Sequence, residues 1–99
     1  MNKIKFEARA TSEFKKIVAY YSQKEPGLGL DFTEDLDRSL SYVRSDPEAF
    51  PKVLNEIRRI TLRIFPYSVF YVIGNKYVQV LAIGHFRQRP GYWVKGRKK

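Results

Sequence analysis

The stretch from Gly84 to Trp93, GHFRQRPGYW, gathers the side chains with the widest chemical reach: the chain's one histidine, two arginines two positions apart and a Tyr-Trp pair. An imidazole titrates near neutral pH, so His85 suits either giving or taking a proton. Arg59, Arg63, Arg87 and Arg89 supply guanidinium forks that match phosphate oxygens, and Tyr92 and Trp93 supply faces on which an unpaired base can stack. Together these groups suit metal-free phosphoryl transfer on RNA. There a 2′-hydroxyl attacks the adjacent phosphorus, a base removes its proton, an acid protonates the leaving 5′-oxygen, and guanidinium groups neutralise the charge that builds in the transition state. Each residue also has a plainer reading. A histidine at a strand end hydrogen-bonds backbone, two arginines on one strand form a solvated face, and aromatics after a Pro-Gly turn fold back over a core edge.

Other chemistries are removed by composition. Without cysteine there is no thiolate ligand, nucleophile or disulfide, and one histidine leaves zinc without a ligand set. No glycine-rich phosphate loop or Ser-His-Asp spacing occurs, so neither a metal nor an organic cofactor is expected. Charge is divided sharply: residues 1–56 carry nine basic and ten acidic side chains, and residues 57–99 carry ten basic and none acidic. A carboxylate for the C-terminal chemistry must therefore come from Glu48, Glu56 or the helices. A one-signed field attracts nucleic acid, an acidic protein partner or both, and sets association rate and salt sensitivity without giving specificity. The 99 residues, 43% of them hydrophobic, make one domain over 1–99. MNKIKFEARA lacks the apolar run of a signal peptide and no stretch reaches the length of a membrane span, so a cytoplasmic protein without membrane contact is expected.

The elements that must carry these groups are legible from periodicity. Lys3 to Ala8 reads as a short strand, after which Thr11 or Ser12 caps a helix and Glu13 favours the positive end of its dipole. Phe14, Ile17, Val18 and Tyr21 make its apolar stripe, and Glu25-Pro26-Gly27 stops it. A second helix starts near Gly29 or Asp31, with Phe32, Leu36, Leu40 and Val43 on one face and Glu34, Asp35, Asp37 and Arg38 on the other, and ends at Asp46-Pro47. Glu48 to Asn55 reads as a connection. Ile57 to Ile64 alternates as a strand, placing Ile60, Leu62 and Ile64 on one face and Arg59, Thr61 and Arg63 on the other. Phe65-Pro66-Tyr67 reads as a turn, Ser68 to Ile73 as a strand, Gly74-Asn75 as a two-residue hairpin loop and Tyr77 to Gly84 as the last strand. Val94 to Lys99 reads as a loose basic tail. The layout is β-α-α-β-β-β, an α+β fold with the helix hairpin packed on one face of a small, mostly antiparallel sheet. The other face is expected to be open, to carry Arg59 and Arg63 and to be bounded by the segment from His85.

The hairpin ending in a proline, followed by RRITLRIFPYSVFYVIGNKYVQVLAIGHFRQRPGYW, resembles toxins of the RelE/ParE superfamily, the toxin halves of bacterial type II toxin–antitoxin modules. The resemblance runs from the first strand to Trp93. Its most specific pieces are Arg58-Arg59 with Arg63, the Phe65-Pro66-Tyr67 turn with Tyr71, and His85, Arg87, Arg89, Pro90 and Tyr92. It implies one of two activities. RelE-like members cut mRNA in the ribosomal A site without a metal; carried over, Arg59 or Arg63 binds phosphate, Arg87 or Arg89 stabilises the transition state, and His85 or Tyr92 transfers a proton. ParE-like members poison DNA gyrase, and there the C-terminal basic segment is a contact surface. The nuclease branch usually carries an arginine near the position of Ser68, and its lysines before the second strand are represented only by Lys52. Loss of one preorganised guanidinium lowers a rate on the order of 10²-fold or more. With the Phe-Pro-Tyr turn, this favours the ParE-like target, while His85 and Tyr92 remain in nuclease-like places. The resemblance also implies a cognate acidic antitoxin whose C-terminal segment folds onto the toxin, as a homo- or hetero-oligomer. A basic nucleic-acid-binding module without toxicity is the third reading that charge alone supports.

Overall fold

The computed structural model describes residues 3–95, the side chains of residues 94 and 95 excepted. Strand β1 (Lys3–Phe6) leads into helices α1 (Ala8–Lys24) and α2 (Leu28–Ser45). A 3-10 turn at Pro47–Ala49 then feeds strands β2 (Lys52–Leu54), β3 (Ile57–Thr61), β4 (Tyr67–Ile73) and β5 (Tyr77–His85), and a single helical turn, α3 (Tyr92–Lys95), follows. The strands form one sheet in the order β1-β5-β4-β3-β2, in which β1 runs parallel to β5 and the other neighbours are antiparallel. This is the expected α+β layout with one strand added. Of the expected loose tail, residues 96–99 lie outside the described residues.

The helix hairpin forms where the apolar stripes place it, but its ends differ from expectation. Helix α1 starts at Ala8, with Glu7 at the N-cap and no side-chain cap, so neither Thr11 nor Ser12 serves. Glu13 therefore sits beyond the first turn, where the dipole has faded, and its carboxylate is used elsewhere. The two stripes, with Phe32 and Val43 wholly buried, pack on Ile60, Leu62, Val69, Tyr71, Val78 and Val80. Asp35, expected on the polar face, is fully buried. Its Oδ2 accepts the N–H groups of Ile64 and Phe65, both at 2.9 Å, and its Oδ1 accepts from Arg38 at 2.9 Å. The carboxylate supplies the acceptors that the chain loses where β3 ends.

That ending corrects the strand expected over Ile57 to Ile64. Regular pairing stops at Thr61, so Arg63 and Ile64 lie in the β3–β4 loop, and Ile64 is 68% exposed instead of joining the core. Pro66 forces the bend: Tyr67 N–H donates to Phe65 O at 2.8 Å across it, and Leu62 N–H reaches Tyr67 O at 2.9 Å. The two-residue hairpin is at Asn55-Glu56, not at Gly74-Asn75. Leu54 pairs with Ile57 and Asn55 takes φ 52, the left-handed conformation that asparagine tolerates. Neither Gly74 nor Asn75 has positive φ, and Gly74 N–H closes a longer loop onto Tyr77 O at 3.0 Å.

The connection between α2 and β2 is held by side chains from the sheet. Tyr71, fully buried in β4, donates its hydroxyl to Pro47 O at 2.7 Å, and Arg58 Nη1 donates to Glu48 O at 3.1 Å and Phe50 O at 2.6 Å. Burial pushes the Tyr71 phenol up to about 12 against the opposing pull of Arg58. A raised folded pKa means that the stabilisation is complete below the unfolded value of 10.0 and is lost as pH rises towards about 12. Urea unfolding followed from about pH 9 upward is therefore expected to lose up to about 3 kcal/mol from this group. Tyr71→Phe begins about 1 kcal/mol lower at neutral pH, and its decline over the same range is shallower; an unchanged slope sinks the assignment.

Candidate functional site

The register of β4 and β5 decides which groups can meet. Tyr67 pairs with His85, Ser68 with Gly84, Val69 with Ile83 and Phe70 with Ala82, and directly paired residues share a sheet face. Tyr67, Val69 and Ile83 belong to the core under the helices, so His85 points to the helix side. Arg59 pairs with Phe70 and Thr61 with Ser68, on the opposite side. The Thr61 and Ser68 hydroxyls bond each other there at 3.0 Å. His85 and Arg59 therefore lie on opposite faces, and Arg63, in the loop, shares no strand side with Arg59. The expected convergence of these three does not occur.

The second face is not open either. Trp93 is 4% exposed and rests on Phe70 with ring centroids 5.3 Å apart, and Val53, Ile57, Leu81 and Tyr92 complete a second apolar cluster around Phe70 and Ala82. Trp93 is thus a roof over the sheet and not a stacking platform. Tyr92 lies across the edge of β5 at Gly84, where a Cβ would meet its ring and hydroxyl at 2.5 to 2.7 Å, so this position needs a glycine. The Tyr92 hydroxyl then donates to Glu13 Oε2 at 2.8 Å, while Glu13 Oε1 accepts the Ile83 N–H at 2.8 Å. Burial, and then the Glu13 carboxylate, hold the Tyr92 phenol well above its usual range. A phenol so held is a poor proton acceptor near neutral pH.

Glu13 is the residue that sequence reasoning missed. Strand β1 covers β5 only from Tyr77 to Val80, which leaves the later edge of β5 without a partner strand. The carboxylate of Glu13 supplies the missing acceptor and receives Arg9 at 3.4 Å as well. The only signal in the sequence is an acid one turn before Ile17 and next to Phe14, at the margin of an apolar stripe.

Between β5 and α3 the chain folds tightly on itself. His85 Nδ1 accepts the Arg87 N–H at 3.2 Å, Gln88 Oε1 accepts the His85 N–H at 3.1 Å, and Phe86 N–H donates to Pro66 O at 2.9 Å. The imidazole sits between the rings of Tyr67 and Phe86, at centroid distances of 5.8 and 4.8 Å. Arg87 lies over Phe86 at 5.7 Å, and both Arg87 and Arg89 are exposed. The ion pairs among the described residues include Arg9–Glu13, Arg38–Asp35 and Lys52–Glu56, none of which involves Arg59, Arg63, Arg87 or Arg89. Among the described residues, no three His, Cys, Asp or Glu side chains come together as a metal site, and no helix is long and apolar enough to cross a membrane. The segment is a braced loop that leaves two guanidinium groups exposed.

Residues 4–90 match the family model of the ParE toxin of the type II toxin–antitoxin system parDE. No curated protein matches the chain. Among solved structures, a chain of the chromosomal ParDE toxin–antitoxin system from P. aeruginosa superposes with a TM-score of 0.75 at 20% identity, covering 86% of this chain and 96% of that one. A chain of the intact E. coli RelBE toxin–antitoxin complex gives 0.66 at 25% identity, covering 89% and 100%. The isolated E. coli RelE toxin gives 0.65 at 22% identity, covering 98% and 97%. The chain belongs to the ParE toxin family, within the RelE/ParE superfamily, and is the toxin component of a type II toxin–antitoxin module.

Proposed function

We propose that the toxin arrests growth by engaging DNA gyrase through its C-terminal basic segment, and that an acidic antitoxin holds it inactive. The observation that supports gyrase over mRNA cutting is the separation of the candidate catalytic groups. His85 faces the helices, Arg59 lies on the other side of the sheet beside Phe70, and the Tyr92 hydroxyl is engaged by Glu13. In-line attack on a phosphodiester needs base, acid and guanidinium around one phosphorus. The exposed Arg87 and Arg89 on a braced loop suit a contact surface instead. The ten basic side chains after Glu56, with no acid among them, are the charge complement of an acidic antitoxin segment. The P. aeruginosa and E. coli structures above come from toxin–antitoxin systems.

Purified toxin added to gyrase and supercoiled DNA is expected to accumulate cleaved complexes, and the same protein in a translating extract is expected to leave mRNA intact. Cutting of mRNA with gyrase turnover unaffected overturns the reading. The ribosome-dependent alternative keeps one supporting observation, that His85 and Tyr92 border the same basin. A non-toxic nucleic-acid module predicts neither activity.

A further inference from the structure

On the helix side of the C-terminal loop, a basin of about 420 Å³ opens between α1 and the end of β5. Its floor is Ile17, Ile83 and the Gly84 backbone, and its walls carry Lys16, Tyr67, His85 and Gln88. We infer that this basin binds a carboxylate side chain of an acidic peptide, and so is a contact point for the antitoxin. The inference rests on the proposed acidic partner.

Lys16, His85 and Gln88 offer donors there. Because His85 Nδ1 accepts the Arg87 N–H, the imidazole proton is carried on Nε2 and remains to be given. Gln88 uses its carbonyl oxygen on the His85 N–H, which leaves its amide NH2. Lys16 is exposed and makes no ion pair with a described residue. The one acid on the rim, Glu13, already has both oxygens engaged, by Ile83, Tyr92 and Arg9. These donors, beside a carboxylate whose oxygens are already occupied and over apolar Ile17 and Ile83, fit an oxyanion on a short methylene chain. A phosphodiester would bring a base as well, but the Tyr92 ring is packed on Gly84 and Phe70 and Trp93 is buried, so neither gives it a stacking face. A glutamate side chain needs no such platform.

The chain's one histidine makes the test direct, since its imidazole signals in the NMR spectrum of untagged protein are unique. A glutamate-rich peptide without basic residues, titrated at constant ionic strength, is expected to shift the His85 signals in a saturable way. Lys16→Gln weakens that binding about tenfold, the effect of one charge-assisted contact. Lys16→Arg restores most of it, and Lys15→Gln, on the neighbouring exposed position, leaves it unchanged. No saturable shift overturns the site, as does a shift with a phosphodiester oligonucleotide and none with the peptide, or equal binding by wild type and Lys16→Gln. The proposed function fails separately. If a purified cognate antitoxin that binds the toxin proves not to be acidic, the acidic partner is wrong; if an acidic one binds wild type and Lys16→Gln with equal affinity, only the basin is.

Discussion

Asp35→Ala is expected to lower the unfolding free energy by about 3–5 kcal/mol, a large fraction of the roughly 5–15 kcal/mol typical of a domain. The substitution deletes the acceptor for two backbone N–H groups, Ile64 and Phe65, and removes the partner of the partly exposed Arg38. Phe65 N is buried, so water does not replace the lost bond, and each orphaned donor costs about 1–3 kcal/mol. Asp35→Asn keeps one carbonyl oxygen in nearly the same volume and should fall between the two. Urea midpoints of the three proteins check this. If Asp35→Ala unfolds within about 1 kcal/mol of wild type, the carboxylate is not what holds the β3–β4 loop.

The largest functional effect is expected from Arg87→Ala combined with Arg89→Ala. Both side chains are exposed and neither is in an ion pair among the described residues, so stability should stay within about 0.5 kcal/mol of wild type. Growth arrest, by contrast, should disappear. If each arginine contributes about 2 kcal/mol at the target surface, the pair accounts for roughly a thousandfold in affinity for the proposed target. Wild-type binding should also weaken steeply with added salt, and the double variant should show a shallower dependence. A folded double variant that still arrests growth places the target surface elsewhere on the molecule.

Much of the fold was legible because its signals are local. The stripes of α1 and α2, the Pro-Gly break between them and the β-branched run of β4 follow directly from spacing. What was not legible depends on partners distant in sequence. Asp35 reads as surface from its charge, though it falls at the margin of the apolar stripe, and the N–H groups of Ile64 and Phe65 are what let an acid be buried there. Strand β2 is three residues long behind Pro51, too short for alternation to register. The alternation of Ile57 to Ile64 is real as far as Leu62, but Pro66 and the Asp35 bonds end the strand first, which separates Arg63 from Arg59. The candidate site was half visible: Arg87 and Arg89 are as exposed as their setting in GHFRQRPGYW suggests. The facing of His85 depends on the β4–β5 register, in which a bulge lies between Phe70 and Tyr71, and no spacing rule in β5 alone fixes it.

The short reach of β1 along β5 bears on how the molecule behaves in a crowd. A sheet edge with free N–H groups is a template onto which another chain's strand can add, and copies of a small β-rich protein can join this way into aggregates. Here the exposed half of that edge is closed by side chains: the Glu13 carboxylate occupies the Ile83 donor and the Tyr92 ring covers Gly84. Glu13 and Tyr92 therefore close this stretch of edge to strand addition, which leaves β1 and β2 as the edges of the sheet.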